Sequence, residues 1–264
     1  MNHLPDIEQV VAIVREASSL MVRDGFEIQE KGAPENIVTS SDVAVQHFLT
    51  RRLEALLPGS GFLCEEEDYA DTSHRQVWII DPIDGTTNYA RGIGFCCISV
   101  ALTEDGKPVL GVVYSPWRNE LYCAQAGKGA FCNGQPIHVS GRSFENGLLF
   151  TAMSTYRKDL ARTCSDIIYD LYQECNDLRR TGSAAMELCL MATGKVELYF
   201  EIRLYPWDYA AAALILQEAG GTICGFDGSF PPLNRTSPVI AANTAENCRR
   251  ILDTVHRHLT EIPY

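Results

Sequence analysis

The chain is most tightly constrained where an apolar run meets two acids. Val77-Trp78-Ile79-Ile80 has the character of a buried strand, and Asp81-Pro82-Ile83-Asp84-Gly85-Thr86-Thr87-Asn88 follows at once. Asp81 emerges at the strand end. Pro82 stiffens the exit and has no amide with which to continue a ladder, so Asp84 sits close by. Two carboxylates this near one another repel and share a proton unless a cation lies between them. A hard divalent cation with oxygen ligands removes the conflict, and magnesium suits a shell completed by phosphate oxygens. The backbone carbonyl of Ile83 offers a further ligand. Gly85 and Thr86 supply N–H groups where a helix begins, a position that accommodates a phosphate oxygen. Asp, Pro and Gly are also ordinary turn formers, and an Asp-Pro pair alone reads as punctuation. The whole string does not.

These acids belong to an acidic chain, with a formal net charge of -12 over 264 residues. Such a surface repels nucleic acid phosphates and shows no basic footprint, so nucleic acid is not an expected partner. An anionic substrate then needs local help, and a bound cation supplies it. Ten cysteines would suit a disulfide framework in a small secreted chain. Here most fall in apolar strand-like runs, as with Cys96, Cys97, Cys123 and Cys224, and read as reduced core thiols. There is no CxxC pair, and no histidine stands at metal-ligand spacing from a cysteine, which argues against zinc. His256 and His258 fall on the surface of a C-terminal helix. Apolar stretches such as Phe95 to Leu102 are far shorter than the roughly 20 residues that cross a bilayer. The opening MNHLPDIEQVV lacks the basic-then-apolar pattern of a signal peptide. A cytoplasmic protein with no membrane partner is expected.

Helical periodicity places Ile7, Val10, Val11, Val14, Ala17 and Met21 on one face of a helix over 6–24, with Gly25 as its stop. A second helix is expected over 42–57, ended by Pro58-Gly59. Two helices thus precede the sheet. Strands are expected over 61–64, 77–80, 95–102, 109–114, 121–124 and 130–132, with Asp105-Gly106 and Asn133-Gly134 as hairpin turns. The second half alternates helix 158–175, a short strand, helix 183–193, strand 196–200, helix 208–219, further strands and a final helix, which predicts layered α/β packing. A soft boundary near Gly141 divides an N-terminal α+β half, 1–140, from a C-terminal α/β half, 141–264. No linker-like stretch separates them, so they are expected to pack as one unit.

Two more acidic positions join the first pair. Glu65-Glu66-Glu67-Asp68 follows the apolar run Gly61 to Cys64. Glu67 and Asp68 read as a solvated charge run, whereas Glu65, the first acid after a buried strand, reaches the cleft of Asp81 if the two strands are neighbours. Asp208 follows Tyr205-Pro206-Trp207 at the start of an alanine-rich helix, and taken alone it reads as a helix N-cap.

These stretches, with Gly182-Ser183-Ala184-Ala185 and Gly220-Gly221, resemble the inositol monophosphatase family. The likeness extends to Lys31, Val38-Thr39-Ser40-Ser41-Asp42, Gly111-Val112-Val113-Tyr114, Gly127-Lys128-Gly129-Ala130-Phe131 and Glu201, and so covers nearly the whole chain. It implies an α/β/α/β/α five-layer sandwich of the sugar-phosphatase type, a homodimer, and two or three Mg2+ ions per site. One ion would lie on Glu65, Asp81 and the Ile83 carbonyl, a second on Asp81, Asp84 and Asp208, and a third, weaker one on Glu65 and water. Glu66 looks like an outer acid. The expected catalytic residues are Thr86, Asp42, Glu65 and Asp84: the Thr86 hydroxyl, paired with Asp42, would orient the attacking water on the first metal while the second stabilises the leaving alkoxide. Substrate contacts would fall on Asp84, Gly85, Thr86, Gly182, Ser183, Ala184, Glu201 and Asp208, with Glu201 accepting hydrogen bonds from the hydroxyls of a small phosphorylated polyol or sugar. The chain departs from the family at Cys64, where Gly usually precedes the Glu-Glu pair. A buried small side chain is the simplest reading of that thiol. Ser183 with Arg179-Arg180 looks like the bacterial type.

The expected function is magnesium-dependent hydrolysis of myo-inositol monophosphate. Fructose-1,6-bisphosphatase, nucleotide 3′-phosphatase and histidinol-phosphate phosphatase of the same superfamily stand as alternatives, because the metal cluster is shared and only the pocket over it differs. Other phosphatase chemistries lack their residues. No cysteine has an arginine six positions later, and Asp81 and Asp84 are separated by two residues where an aspartyl-phosphate mechanism wants one. A partner-binding role on transcription machinery is the remaining alternative.

Overall fold

The computed structural model describes residues 4–66, 70–155 and 157–261. Glu67 and Asp68 lie outside the described residues. Helix α1 (Ile7–Ala17) is capped by Asp6, whose side chain accepts the Glu8 N–H, and it buries Val10, Val11, Ile13, Val14 and Ala17. It stops short of the expected Asp24. The hydroxyls of Ser18 and Ser19 bond back to the carbonyls of Arg15 and Glu16, and this local competition for the backbone turns the chain through a short 3-10 segment. A hairpin of β1 (Ile28–Ala33) and β2 (Asn36–Thr39) follows, so the two helices are not consecutive as expected. The hairpin buries only Thr39 and lacks the apolar alternation that marks a half-buried strand. Helix α2 (Ser40–Leu56) then begins at a capping box in which Asp42 accepts the Thr39 N–H.

The main sheet contains β3 (Gly61–Cys64), β4 (Ala70–Asp71), β5 (Gln76–Asp84), β6 (Cys97–Glu104), β7 (Lys107–Ser115), β8 (Glu120–Gln125), β9 (Ala130–Cys132) and β10 (Gln135–Pro136), in the order β10-β9-β8-β7-β6-β5-β3-β4. Asp105-Gly106 and Asn133-Gly134 turn antiparallel neighbours, as expected. The second sheet, β12-β11-β13-β15-β14, is built from β11 (Leu148–Ala152), β12 (Asp177–Arg179), β13 (Leu198–Leu204), β14 (Thr222–Cys224) and β15 (Ser237–Ala242). β11 carries no alternation because it lies between two parallel neighbours with nearly every residue buried, and the sequence does not announce it. β13 runs to Leu204 rather than stopping at Phe200: Glu201 and Arg203 interrupt its apolar run, and its pairing to β15 passes through a register shift after Glu201 and resumes at Leu204.

Three apolar cores separate the layers. One joins α1 and α2 to one face of the main sheet, through residues such as Val14, Leu49, Trp78 and Val112. A second fills the space between the sheets and holds helices α5 (Ala184–Ala192) and α6 (Pro206–Glu218). The third joins the far face of the second sheet to α4 (Ala161–Glu174) and α7 (Ala245–His258). The result is the five-layer α/β/α/β/α arrangement. Helix α6 approaches the main sheet so closely that a Cβ on Gly111 would lie 2.7 Å from the Ala211 carbonyl oxygen, so glycine is required there. The Gly127 and Gly129 amides donate to the Glu218 carboxylate, each at 2.8 Å, and tie a sheet loop to the end of that helix. No helix among the described residues is long and apolar enough to cross a membrane.

Candidate active site

Strand geometry decides where the acids point. On β3, β5 and β6 alternate side chains face opposite layers. Phe62, Cys64, Trp78, Ile80, Ile98 and Val100 face the α1/α2 core, while Ile79, Cys97 and Ala101 face the core that holds α5 and α6. Asp81 has the parity of Ile79. β3 runs parallel to β5 with Cys64 opposite Ile80, so Glu65 and Asp81 come side by side and face α5 and α6. Cys64 faces away from them. Burial pushes its thiol up to about 12, consistent with an unreactive core side chain.

Pro82 does not end the strand as expected. β5 continues to Asp84 through a register shift in which Asp81 pairs with Ser99 and Asp84 with Cys97, three steps on one strand against two on the other. The extra residue makes a bulge, and Pro82, having no amide to pair, is suited to it. The bulge restores parity. Strict alternation would send Asp84 into the α1/α2 core, and with the bulge it joins Asp81 while Ile83 fills that core instead. Asp81 accepts the Ile83 N–H at 2.9 Å, which fixes the turn of the bulge.

Asp208 arrives from the other half of the chain. Helix α6 begins at Pro206, whose fixed φ and missing amide suit the first turn. The N-cap is Tyr205, and Asp208, the third helical residue, accepts the Tyr205 N–H at 2.7 Å. The expectation that Asp208 itself caps the helix is corrected accordingly. Trp207 stacks on Tyr205 with ring centroids 4.8 Å apart, and Ser99 donates to the Trp207 carbonyl at 3.3 Å. These contacts hold the start of α6 against β6.

The acids feel one another. Burial raises Asp81 well above the carboxylate range, and Glu65, Asp84 and Asp208 add to it. Burial likewise raises Asp208, with Asp84 and Glu65 adding. Glu65 is pushed up to about 7 by burial despite the Lys31 charge, with Glu66 adding to it. Among the described residues no three acidic, histidine or cysteine side chains are drawn onto a single point. Asp81 is turned toward Ile83, Asp84 toward α5 and Asp208 toward Tyr205. The donor set nonetheless fits a hard divalent cation: carboxylates from three parts of the chain share one low-dielectric space, and all their donor atoms are oxygen. Lys31 lies 2.6 Å from buried Glu66 and 3.8 Å from Glu65, and Gln46 brackets the Glu66 backbone through both its amide atoms. Lys31 and Gln46 therefore anchor Glu66.

Thr86 opens the short helix α3 (Thr86–Ala90) behind Gly85. Gly85 has φ 89°, and a Cβ there would lie 3.0 Å from the Phe95 carbonyl and 3.1 Å from that of Gly182, so only glycine fits. The Thr86 hydroxyl lies 3.0 Å from the Ile83 carbonyl and 3.3 Å from Asp42 Oδ1. Asp42 is fully buried, its other oxygen takes both the amide and the hydroxyl of Thr39, and burial raises its carboxyl to about 6.

The opposite wall comes from α5. Asp84 Oδ2 accepts the Ser183 hydroxyl and the Ala185 N–H, both at 2.7 Å, and burial outweighs these donors to raise it to about 6. Gly182 packs against Asn88, whose side-chain amide donates to the carbonyls of Phe95 and Thr181. Glu201, on β13, accepts the Tyr199 hydroxyl at 2.9 Å and is raised to about 8 by burial and then by Glu187. Glu187 stands outside the residues expected from the sequence. The signal was there, since it is the sole charged residue of the apolar helix Ala184–Ala192, and it is 1% exposed.

Known proteins share this fold and much of this sequence. The model of the inositol monophosphatase family matches residues 6–260. Inositol monophosphatase 3 of Solanum lycopersicum is 36% identical over 253 residues, covering 90% of this chain and 93% of that one. Nus factor SuhB of Escherichia coli K12 is 35% identical over 246 residues, covering 90% and 91%. Among solved structures, the extragenic suppressor protein suhB from Bartonella henselae superposes with a TM-score of 0.87 at 29% identity, over 96% of this chain and 98% of that chain. The inositol monophosphate-bound SaIMPase-II gives a TM-score of 0.80 at 27% identity, over 96% and 95%.

Proposed function

This chain belongs to the inositol monophosphatase family and is a phosphoric monoester hydrolase, and from that premise we propose that it hydrolyses myo-inositol monophosphate to inositol and phosphate with magnesium. The observation that carries the reading is the convergence of Glu65, Asp81, Asp84 and Asp208 beside the Thr86–Asp42 pair. Glu65, Asp81, Asp84, Asp208 and the Ile83 carbonyl would hold two or three Mg2+ ions. Bound there, magnesium supplies positive charge for the phosphate oxygens and lowers the pKa of a water.

The side chains do the rest. The Thr86 hydroxyl, which donates to Asp42 or to the Ile83 carbonyl, keeps a lone pair for an incoming water and fixes its line of attack. Asp42, raised to about 6, accepts a proton passed through that hydroxyl near neutral pH. The N–H groups of Gly85 and Thr86 donate to phosphate oxygens, and the Gly182-Ser183-Ala184 turn closes the opposite side. Glu201 spends one oxygen on Tyr199 and leaves the other for a hydroxyl of the polyol. The inositol monophosphate carried by SaIMPase-II supports this substrate class. We also expect a homodimer acting in the cytoplasm.

A panel of inositol 1-phosphate, fructose 1,6-bisphosphate, adenosine 3′,5′-bisphosphate and histidinol phosphate, assayed for phosphate release with and without magnesium, tests the reading. Inositol 1-phosphate should be the best of the four and magnesium obligatory. If it is the worst, the substrate is wrong and the chemistry survives; if magnesium has no effect, the chemistry falls. The name of the Escherichia coli relative, a Nus factor, supports a second role on transcription machinery. Capture of RNA polymerase by an inactive Asp84→Asn variant would establish it apart from turnover, and direct RNA binding is disfavoured by the net charge of -12.

A further inference from the structure

A glutamate that the proposed chemistry leaves unused lies beneath the site. All nine residues of α5 are buried, and Glu187 sits in its first turn, 1% exposed, with no arginine or lysine paired to it among the described residues. The titratable groups around it are acids or a phenol: Asp84 raises it, and it in turn raises Glu201 and Tyr199. A carboxyl in such a place is costly unless it accepts good hydrogen bonds. Its Oε1 accepts three: the Thr181 hydroxyl at 2.6 Å, the Thr181 N–H at 2.8 Å and the Gly182 N–H at 3.4 Å. All three donors belong to the turn that leads into α5.

That turn has two further attachments. The Thr181 carbonyl accepts the Asn88 side-chain amide at 2.7 Å, and Asn88 lies on α3 two residues after Thr86. Ser183 and Ala185, next along the chain, grip Asp84 Oδ2 at 2.7 Å each. We propose that Glu187 is a positioning residue that clamps the Thr181-Gly182-Ser183 turn from below, so that Asp84 is held at one fixed orientation between the bulge of β5 and the start of α5. The inference rests on the reading of Asp84 as a magnesium ligand. It adds a residue that touches neither substrate nor ion and acts through three backbone and hydroxyl donors.

Glu187→Met fills the same space with no acceptor, whereas Glu187→Gln keeps a carbonyl oxygen at the position of Oε1. In the full chain, the Met variant should let the Thr181, Gly182 and Ala185 amides exchange with solvent faster while amides within α6 keep their protection. Calorimetric magnesium affinity and kcat/KM should each fall about tenfold or more in the Met variant and stay within about threefold of the parent in the Gln variant. Three results overturn the clamp: unchanged magnesium affinity and amide exchange in the Met variant, a lowered Tm with unchanged magnesium affinity, or an equal loss in the Gln variant. Amide exchange and calorimetry need no turnover. A parent chain without magnesium-dependent phosphatase activity would therefore refute the proposed function while these two measurements still judged the clamp.

Discussion

Helices α2 and α6 start in the same way and serve the site differently. Each carries an aspartate at its third position that accepts the amide of the preceding cap residue, Asp42 from Thr39 at 2.8 Å and Asp208 from Tyr205 at 2.7 Å. Each is raised by burial. Asp42 spends both oxygens on protein donors, one on Thr39 and one on the Thr86 hydroxyl. Asp208, among the described residues, accepts only the Tyr205 amide, and its remaining neighbours are other acids, Asp84 and Glu65 foremost. One local motif thus yields an orienting group in the first case and a lone donor facing like charges in the second. The carboxylate that keeps one oxygen clear of protein donors is the one suited to a cation.

Neutralising the two aspartates should separate them. Asp208→Asn removes a proposed magnesium ligand and a repelled charge together, so activity should fall about 10³-fold or more while the metal-free protein becomes more stable, its Tm rising by about 2–4 °C for each kcal/mol of relieved repulsion. Phosphate release and thermal melts in chelator read the two sides. A variant that is both less active and less stable would show that Asp208 is only a helix cap. Asp42→Asn should cost about 10²-fold, mainly in kcat, because the hydroxyl it orients remains in place but loses its proton acceptor. A change confined to KM would remove Asp42 from the chemistry.

The comparison also shows how far the sequence could be read. Thr39 followed by Asp42, and Pro206 followed by Asp208, are capping signals written within four residues, and both helices are legible from them. The five-layer fold was implied by resemblance, since periodicity alone gave alternating layers. The hairpin Ile28–Thr39 and strand Leu148–Ala152 escaped because one is too exposed and the other too buried to alternate. The site was legible as a set of acids and illegible as an arrangement. Nothing local in Asp81-Pro82-Ile83-Asp84 says that the strand continues through a bulge, because the bulge is defined by its pairing with Ser99 and Cys97 on another strand. Glu187 differs, because its signal is local: it is the sole charged residue of an apolar helix, and its donors lie five and six residues before it.

The burial of the site acids sets a pH dependence with a definite sign. Asp42 and Asp84 are raised to about 6 and Glu65 to about 7, each by burial first. Their protons are held more tightly in the folded chain than in the unfolded one. The associated stability is complete below the ordinary carboxylate pKa near 4 and is lost as pH rises through 6 to 7. In chelator, Tm should therefore fall between pH 5 and pH 8 by about 5 °C or more, given the size of the chain. Magnesium should recover more of it at pH 8, where protons no longer compete for the oxygens. Asp208→Asn should flatten the profile and Asp42→Asn should flatten it less. A metal-free Tm that is level or rises toward pH 8 would mean that the acids are not buried as their placement requires.

The smallest effect belongs to Cys64, the residue that interrupts the likeness to the family beside its most important acid. Adjacent residues on a strand face opposite layers, so Cys64 packs into the α1/α2 core at 2% exposure while Glu65 faces α6. Position along the chain would make the thiol a neighbour of the metal site, whereas the pleat puts the sheet between them. Cys64→Ala should cost about 1 kcal/mol of stability through lost packing, with kcat, KM and magnesium half-saturation each unchanged to within about twofold. Alkylating reagents should leave the native thiol unmodified, because burial keeps it protonated and out of reach. A shift in magnesium half-saturation on this substitution would mean that the strand is slipped by one residue. Glu65 would then face the wrong layer, and the arrangement of all four carboxylates would have to be redrawn.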